Sequence, residues 1–283
     1  MNQLKILKTV ADVQSWHDSS ELPVAAVFTM GALHSGHAYL MTYARERSPK
    51  GTRVIASIFV NPTQFEKGAD LETYPRTLDE DLQLLIEAGV DAVFIPSVEV
   101  MYPDGLVVDE TIDPGVIGKI LEGKSRPGHF LGMLSVVHKL LSITEPNFTY
   151  FGEKDFQQLT LVKKMVHDLM MPVEVVGVPT VRDPDGLALS SRNQKLSESA
   201  RVLAQNIPAA LTMVSNLLID GKQIEQAEKE GRDFLAKQDG IALDYLEVHA
   251  ENLIDEPKVG TLRILIAAII DGVRIIDNIA VEI

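Results

Sequence analysis

The 283-residue chain has no cysteine, which excludes disulfides, thiolate metal sites and a cysteine nucleophile together. It is also poor in positive charge. Twenty-six Lys and Arg face 40 Asp and Glu, a formal net charge of −14, which argues against a general nucleic-acid binder, since such a protein needs a basic footprint. Small anionic ligands are not excluded, because a local positive pocket suffices for them. Long hydrophobic runs are missing as well. The N-terminal stretch MNQLKILKTVADVQSW lacks the apolar core of a signal peptide. The longest late apolar run, Ile264 to Ile270, is far too short to span a bilayer. A soluble cytoplasmic protein that binds neither membrane nor nucleic acid is the expectation.

What is present is enough apolar material for a core, 46% of residues, and length for one large domain or two modest ones. Short runs rich in Val, Ile and Phe recur at Val24–Thr29, Val54–Val60, Asp91–Pro96, Phe148–Phe151 and Val173–Val178. They read as strands buried on both faces. Helical patterns lie between them. Thr77-Leu78-Asp79-Glu80 has the form of a capping box, with Leu78, Leu82, Leu85 and Ile86 on one face and Gly89 as the stop. Phe130–Ile143 and Asp155–Met170 are further helices. This rhythm predicts an α/β fold with a parallel, doubly wound sheet. The pattern changes after Arg182-Asp183-Pro184-Asp185-Gly186. Helical stretches at Ser197–Ile219 and Ile224–Lys237, then strands at Leu243–His249, Arg263–Ile269 and Val273–Ile276, predict a second, smaller α+β domain over residues 183–283.

Four segments carry polar groups suited to chemistry. Thr29 to His37 (TMGALHSGH) joins a buried strand to a helical pattern. Gly31 and Gly36 permit close backbone approach, and free N–H groups at the helix start favour an anion. His34 and His37, three apart, could donate hydrogen bonds to phosphoryl oxygens. Metal ligation by the pair is disfavoured, because no third ligand stands nearby. In Ser57 to Phe65, a strand runs into Asn61-Pro62-Thr63-Gln64. Gln64 can pair with a hydroxyl and a carboxylate at once, though a turn with an exposed amide reads equally well. Phe151-Gly152-Glu153-Lys154-Asp155 is another strand end entering a helix. Lys154 there suits a phosphate, Asp155 could cap the helix, and Gln158 lies one turn on; the alternative is a solvated charge cluster. Gly186 to Asn193 places Ser190, Ser191 and Arg192 after a Pro-Asp-Gly turn, as in a mobile loop closing on phosphates. Lys124 and Arg126-Pro127-Gly128-His129-Phe130 form a fifth, basic loop.

Taken in order, these stretches resemble the pantothenate synthetase family of the nucleotidyltransferase superfamily. Tyr74-Pro75-Arg76-Thr77, Val176 to Arg182 and Ile275-Ile276-Asp277-Asn278 extend the likeness to nearly the whole chain. The resemblance implies a Rossmann-like N-terminal domain over residues 1–182, a C-terminal lid, and a homodimer. It implies ATP as a substrate with Mg²⁺ as cofactor, and pantoate and β-alanine as the other small-molecule substrates. It also implies a pantoyl-adenylate intermediate, with AMP and pyrophosphate released. By that pattern His37 is catalytic, aided by His34, Lys154 and Arg192. The ATP-binding set is Met30, Gly31, Ala32, Leu33, His34, Ser35, Gly36, His37, Gly152, Glu153, Lys154, Asp155, Val181, Leu189, Ser190, Ser191 and Arg192. Gln64 and Gln158 hold pantoate, Gln64 also lies near β-alanine, and no residue is assigned to the metal. The chain departs from the family at Phe28, where proline is usual before Thr-Met-Gly.

Overall fold

The structure, a computed structural model, describes residues 3–64, 69–72, 74–109 and 111–283. Phe65, the end of the second motif, lies outside the described residues. Two compact units divide the chain, Met1–Glu153 with Leu161–Val178, and Lys154–Thr160 with Pro179–Ile283.

The first unit is built on six strands: β1 (Lys5–Leu7), β2 (Val24–Thr29), β3 (Arg53–Ile58), β4 (Ala92–Phe94), β5 (Phe148–Gly152) and β6 (Glu174–Val178). They run in the order β1-β4-β3-β2-β5-β6, with every pairing parallel. The expected doubly wound, Rossmann-like sheet is therefore present. Val24, Ala25, Ala26 and Val27 in β2 and Val54, Ile55 and Ala56 in β3 are all buried, as continuous apolar strands covered on both faces must be. From β2 the chain steps outward to β3 and β4, then returns to place β5 on the other side of β2. The strand order thus reverses between β2 and β5, and ligands of open α/β sheets bind at the carboxyl ends of such a pair.

The helices that matter for position are α1 (Val10–Asp18), α2 (Ser35–Arg47), α3 (Leu78–Glu87), α4 (His129–Thr144) and α5 (Phe156–Asp168). Helix α3 corrects one expectation. Its N-cap residue Thr77 makes no side-chain cap; the hydroxyl donates instead to the Asp81 carboxylate at 3.1 Å. A reciprocal capping box does form at α1, between Thr9 and Asp12. Strand β1 was not expected, because only Leu7 of its three residues is buried. Phe28 meets Phe151 edge to face, ring centroids 6.3 Å apart, so an aromatic contact between β2 and β5 occupies the position where proline is usual.

In the second unit, α6 (Glu198–Ala204), α7 (Asn206–Ile219) and α8 (Ile224–Leu235) precede the antiparallel sheet of β7 (Ile241–Ala250), β8 (Thr261–Ile270) and β9 (Val273–Glu282). The single helix expected over Ser197–Ile219 is broken at Gln205. Pro208 lacks the N–H that would continue the ladder, so a new helix starts just before it, where proline is tolerated. Glu198–Ile219 is long and apolar enough to resemble a membrane span. However, Ala200, Ala204, Ile207, Ala210, Leu211, Val214 and Leu218 pack into this unit's own core.

Candidate active site

The loop leaving β2 is held from three sides. Thr29 donates its hydroxyl to the Ser57 carbonyl at 2.7 Å and accepts the Gly31 N–H at 3.3 Å. Gly31 and Ala32 then adopt consecutive left-handed conformations, φ +82 and +50. Such backbone is natural for the glycine and unfavourable for the alanine. Asp81 closes over the turn, its Oδ2 accepting the Ala32 N–H at 3.0 Å and its Oδ1 the Leu33 N–H at 2.7 Å.

Past this turn the two histidines cap α2 in an unusual way. His34 is the N-cap residue, extended at φ −139, and its Nδ1 accepts the Gly36 N–H at 3.1 Å. In return the His34 N–H donates to His37 Nδ1 at 3.3 Å. This is the geometry of a capping box with imidazoles in place of a hydroxyl and a carboxylate. The two rings lie 4.1 Å apart, centroid to centroid. Each Nδ1 faces a backbone donor and must be the acceptor, so each neutral ring carries its proton on Nε2. The contacts thereby fix the tautomer of both rings.

The same geometry narrows the expectation of free backbone donors at the helix start. The N–H groups of Gly31, Ala32, Leu33, His34 and Gly36 are taken by Thr29, Asp81, His37 and His34 side chains, and that of His37 by the His34 carbonyl. The loop is therefore not a bare nest of amides. Free amides cannot be read from glycine content when neighbouring side chains supply the acceptors.

Gln64 ends a 3₁₀ turn, Pro62–Gln64, directly after β3. Asn61 is fully buried. Its Oδ1 accepts the Thr63 hydroxyl at 3.1 Å and the Tyr102 phenol at 2.8 Å, and its Nδ2 donates to the Gly132 carbonyl at 3.3 Å. Burial raises the Tyr102 pKa above its ordinary value, which keeps the phenol a donor. A Cβ on Gly132 would sit 2.3 Å from the Thr63 carbonyl oxygen, so glycine is needed for α4 to approach this turn. The Gln64 carbonyl accepts from His129 Nδ1 at 3.2 Å, and His129 Nε2 lies 3.1 Å from an Arg126 guanidinium nitrogen. The fifth basic loop therefore braces the turn that carries the half-buried Gln64.

The remaining predicted residues belong to the second unit, apart from Gly152 and Glu153 at the end of β5. Lys154 lies in the 3₁₀ turn Glu153–Asp155, its Nζ 3.8 Å from Asp155 Oδ1. Asn278 Nδ2 donates to the Lys154 carbonyl at 2.9 Å, and Asn278 Oδ1 accepts from Arg263 at 3.2 Å. The Arg263 guanidinium stacks over the Phe156 ring at 3.9 Å. Arg182 makes a two-pronged ion pair with Asp277, at 2.6 and 2.8 Å. Val181 and Leu189 are brought together by a hairpin, the Leu189 N–H donating to the Val181 carbonyl at 3.0 Å. Ser190 caps the 3₁₀ helix Ser191–Lys195 by accepting the Arg192 N–H at 3.3 Å. Gln158, half-buried, stands in the first turn of α5.

Asp81 and Asn61 are the structural partners that motif reading missed. Asp81 was hidden in the acidic run Asp79-Glu80-Asp81, which reads as ordinary charge at a helix start. Asn61 was hidden in Asn-Pro, which reads as a turn.

A doubly wound parallel sheet whose switch-point strand feeds a reciprocal imidazole cap defines a Rossmann-like α/β protein with its functional loop at the carboxyl end of β2. Comparison with known proteins narrows that class. A family profile described as Pantoate-beta-alanine ligase matches residues 5–280. The pantothenate synthetase of Corynebacterium jeikeium (strain K411) is 49% identical over 259 residues, covering 92% of this chain and 83% of that protein. The crystal structure of pantothenate synthetase from Thermus thermophilus superposes with a TM-score of 0.88 at 42% identity, covering 98% of this chain and 99% of that one. That of the Francisella tularensis pantoate-beta-alanine ligase, complexed with beta-gamma ATP and beta-alanine, gives 0.80 at 38% identity over 98% and 97%. The chain belongs to the pantoate-beta-alanine ligase family, and it is an enzyme that joins pantoate to β-alanine.

Proposed function

We propose that this chain drives that condensation with ATP in two steps. A pantoate carboxylate oxygen attacks the α-phosphorus of ATP, the bond to the β-phosphate oxygen breaks, and pyrophosphate leaves. The amine of β-alanine then attacks the acyl carbon of pantoyl adenylate, the carbon–oxygen bond to phosphate breaks, and AMP leaves as the nitrogen gives up a proton. Adenylation is needed because a free carboxylate oxygen leaves badly.

The observation that carries this reading is the reciprocal imidazole cap at the carboxyl end of β2. Two Nε2–H donors of fixed tautomer suit the charge that builds on a departing pyrophosphate. His37 and His34 take that role, with Lys154 and Arg192 as further cations. Met30 to Gly36, Gly152, Glu153, Asp155, Val181, Leu189, Ser190 and Ser191 complete the proposed ATP contacts. Gln64 and Gln158 hold pantoate, whose hydroxyl and carboxylate an amide can pair together, and Gln64 also serves β-alanine. Among the described residues no group of three or more His, Asp or Glu is placed to hold a metal. Mg²⁺ bound with ATP would supply charge neutralisation at the phosphates, and no residue is assigned to hold it. A homodimer and a cytoplasmic location follow from the family resemblance, and sedimentation of the purified chain tests the first.

Steady-state AMP formation, with each substrate varied in turn, tests the assignment. The expected result is AMP release that requires ATP, pantoate and β-alanine together. Gln64→Ala and Gln158→Ala should each raise the KM for pantoate ~5–150-fold, the scale of one buried polar group left unpaired, while the KM for ATP stays near its original value. AMP release without pantoate would sink the function. Glutamine variants that lose ATP affinity and keep normal pantoate behaviour would sink the residue roles.

A further inference from the structure

Asp81 is 2% exposed. Its partners among the described residues are the Ala32 N–H, the Leu33 N–H and the Thr77 hydroxyl, all neutral donors. A carboxylate is taken out of water at a cost unless hydrogen bonds satisfy it, and here those bonds are spent on a strained turn. The contact is close on the other side too: a Cβ on Gly31 would lie 3.0 Å from Asp81 Oδ2 and 3.2 Å from Ile58 Cγ2. Gly31 is therefore small enough to admit the carboxylate. Thr77, for its part, leaves α3 without a side-chain cap in order to hold Asp81. A local rule broken at a helix end, next to a non-glycine residue at positive φ, is the pattern expected where local stability is given up for a functional geometry.

We infer that Asp81 is a positioning residue: its carboxylate, steadied by Thr77, clamps the Gly31–Ala32 turn and so fixes where β2 delivers the His34–His37 pair. Leu33, the last residue clamped, is bonded directly to His34. The imidazoles brace each other and the start of α2, whose Met41 and Ala44 pack into the sheet's core, and the turn is the covalent link that sets how they leave the end of β2. Loosening the clamp leaves the binding surfaces largely intact and misaligns the donors, which is a loss in turnover rather than in affinity. The catalytic consequence rests on the reading that the imidazoles act on ATP; the clamp itself does not.

The test is Asp81→Asn, which keeps the shape but turns one acceptor into a donor aimed at a backbone N–H. The expected result is a kcat ~30–100-fold lower with KM for ATP and pantoate within ~3-fold, the scale of an ångström-level misplacement. In parallel, ¹⁵N NMR of the substrate-free protein should show the Ala32 and Leu33 amides and the His34 and His37 ring nitrogens shifted and broadened in D81N relative to the original chain. A mere structural brace would lower the melting temperature and move neither kcat per folded molecule nor the imidazole resonances. Thr77→Val serves if D81N does not fold: it should lower kcat ~3–10-fold, the scale of one neutral hydrogen bond, and Thr77→Ser should restore it. Unchanged imidazole resonances with unchanged kcat in D81N, or in T77V where that is the variant that folds, overturn the proposal. If the chain does not ligate pantoate at all, the kinetic arm falls with the proposed function, and the NMR arm still decides the clamp.

Discussion

His37→Ala is expected to lower turnover at least ~100-fold, the scale for removing one positioned donor at developing charge. The geometry argues for an effect at or above that bound. The ring supplies a donor on Nε2, and its Nδ1 also accepts the His34 N–H at 3.3 Å. Its face lies 4.1 Å from the His34 ring. Alanine removes all three, so His34 loses one of its braces along with the donor of His37, while the His34 Nδ1 still accepts the Gly36 N–H. Two milder substitutions separate these roles. His37→Asn places an acceptor near the old Nδ1 and should keep the cap while remaining about as slow as alanine. His37→Gln places an amide N–H near the old Nε2 and should recover part of the rate. The measurement is AMP formation under saturating substrates, alongside thermal unfolding of each variant. Near-normal turnover in a folded His37→Ala protein would remove His37 from the mechanism.

Arg182→Ala should destabilise the second unit by about 3 kcal/mol, the lower end for removing one partner of a buried ion pair. Asp277 is the reason. Its side chain is 0% exposed, while that of Arg182 is 27% exposed. The two guanidinium bonds to it, at 2.6 and 2.8 Å, are joined by a third partner, the Asn278 backbone N–H at 2.7 Å. Truncating Arg182 leaves a carboxylate without its cation in the interior of the sheet and frees the Gly186 and Asn278 carbonyls that Arg182 also holds. Urea unfolding followed by circular dichroism measures the loss. The double variant Arg182→Ala with Asp277→Asn should regain part of it, because the uncompensated charge is gone. A loss below about 1 kcal/mol for the single variant, the range of exposed pairs, would show that the pair contributes as a surface bridge does.

The parts legible in the sequence were those in which one physical signal dominated. β2 and β3 are continuous apolar runs because both faces are covered, and no rival pattern competes with that reading. The observed ends of β3, Arg53–Ile58, and of α5, Phe156–Asp168, differ from expectation by one or two residues, which is the usual scatter of element ends. Where side chains from distant positions intervene, the local signal misleads. Asp277-Asn278 has the composition of a turn, so the last strand was expected to stop at Ile276. β9 instead runs to Glu282, because Arg182 and Arg263 supply partners for both buried polar groups. Thr77 and Glu80 have the spacing of a capping box, yet the hydroxyl bonds Asp81, which in turn holds a loop some 50 residues earlier. The glycines around His34 suggested open amides, yet Gly31 donates to the Thr29 hydroxyl and Gly36 to the His34 imidazole, while Asp81 takes the two amides between them. The residue types of the candidate site could be read from sequence; the bonds that orient them depend on tertiary neighbours.

In the proposed function the imidazole pair promotes a discrete, reversible adenylation of pantoate. Pyrophosphate–ATP exchange measures that step alone. Labelled pyrophosphate should enter ATP when the chain is given ATP, Mg²⁺ and pantoate with no β-alanine. Omitting pantoate should stop the exchange, and His37→Ala should slow it at least ~100-fold, as it slows the full reaction. An enzyme active in the complete reaction that shows no pantoate-dependent exchange, or one whose exchange survives the loss of His37 unchanged, would contradict the account.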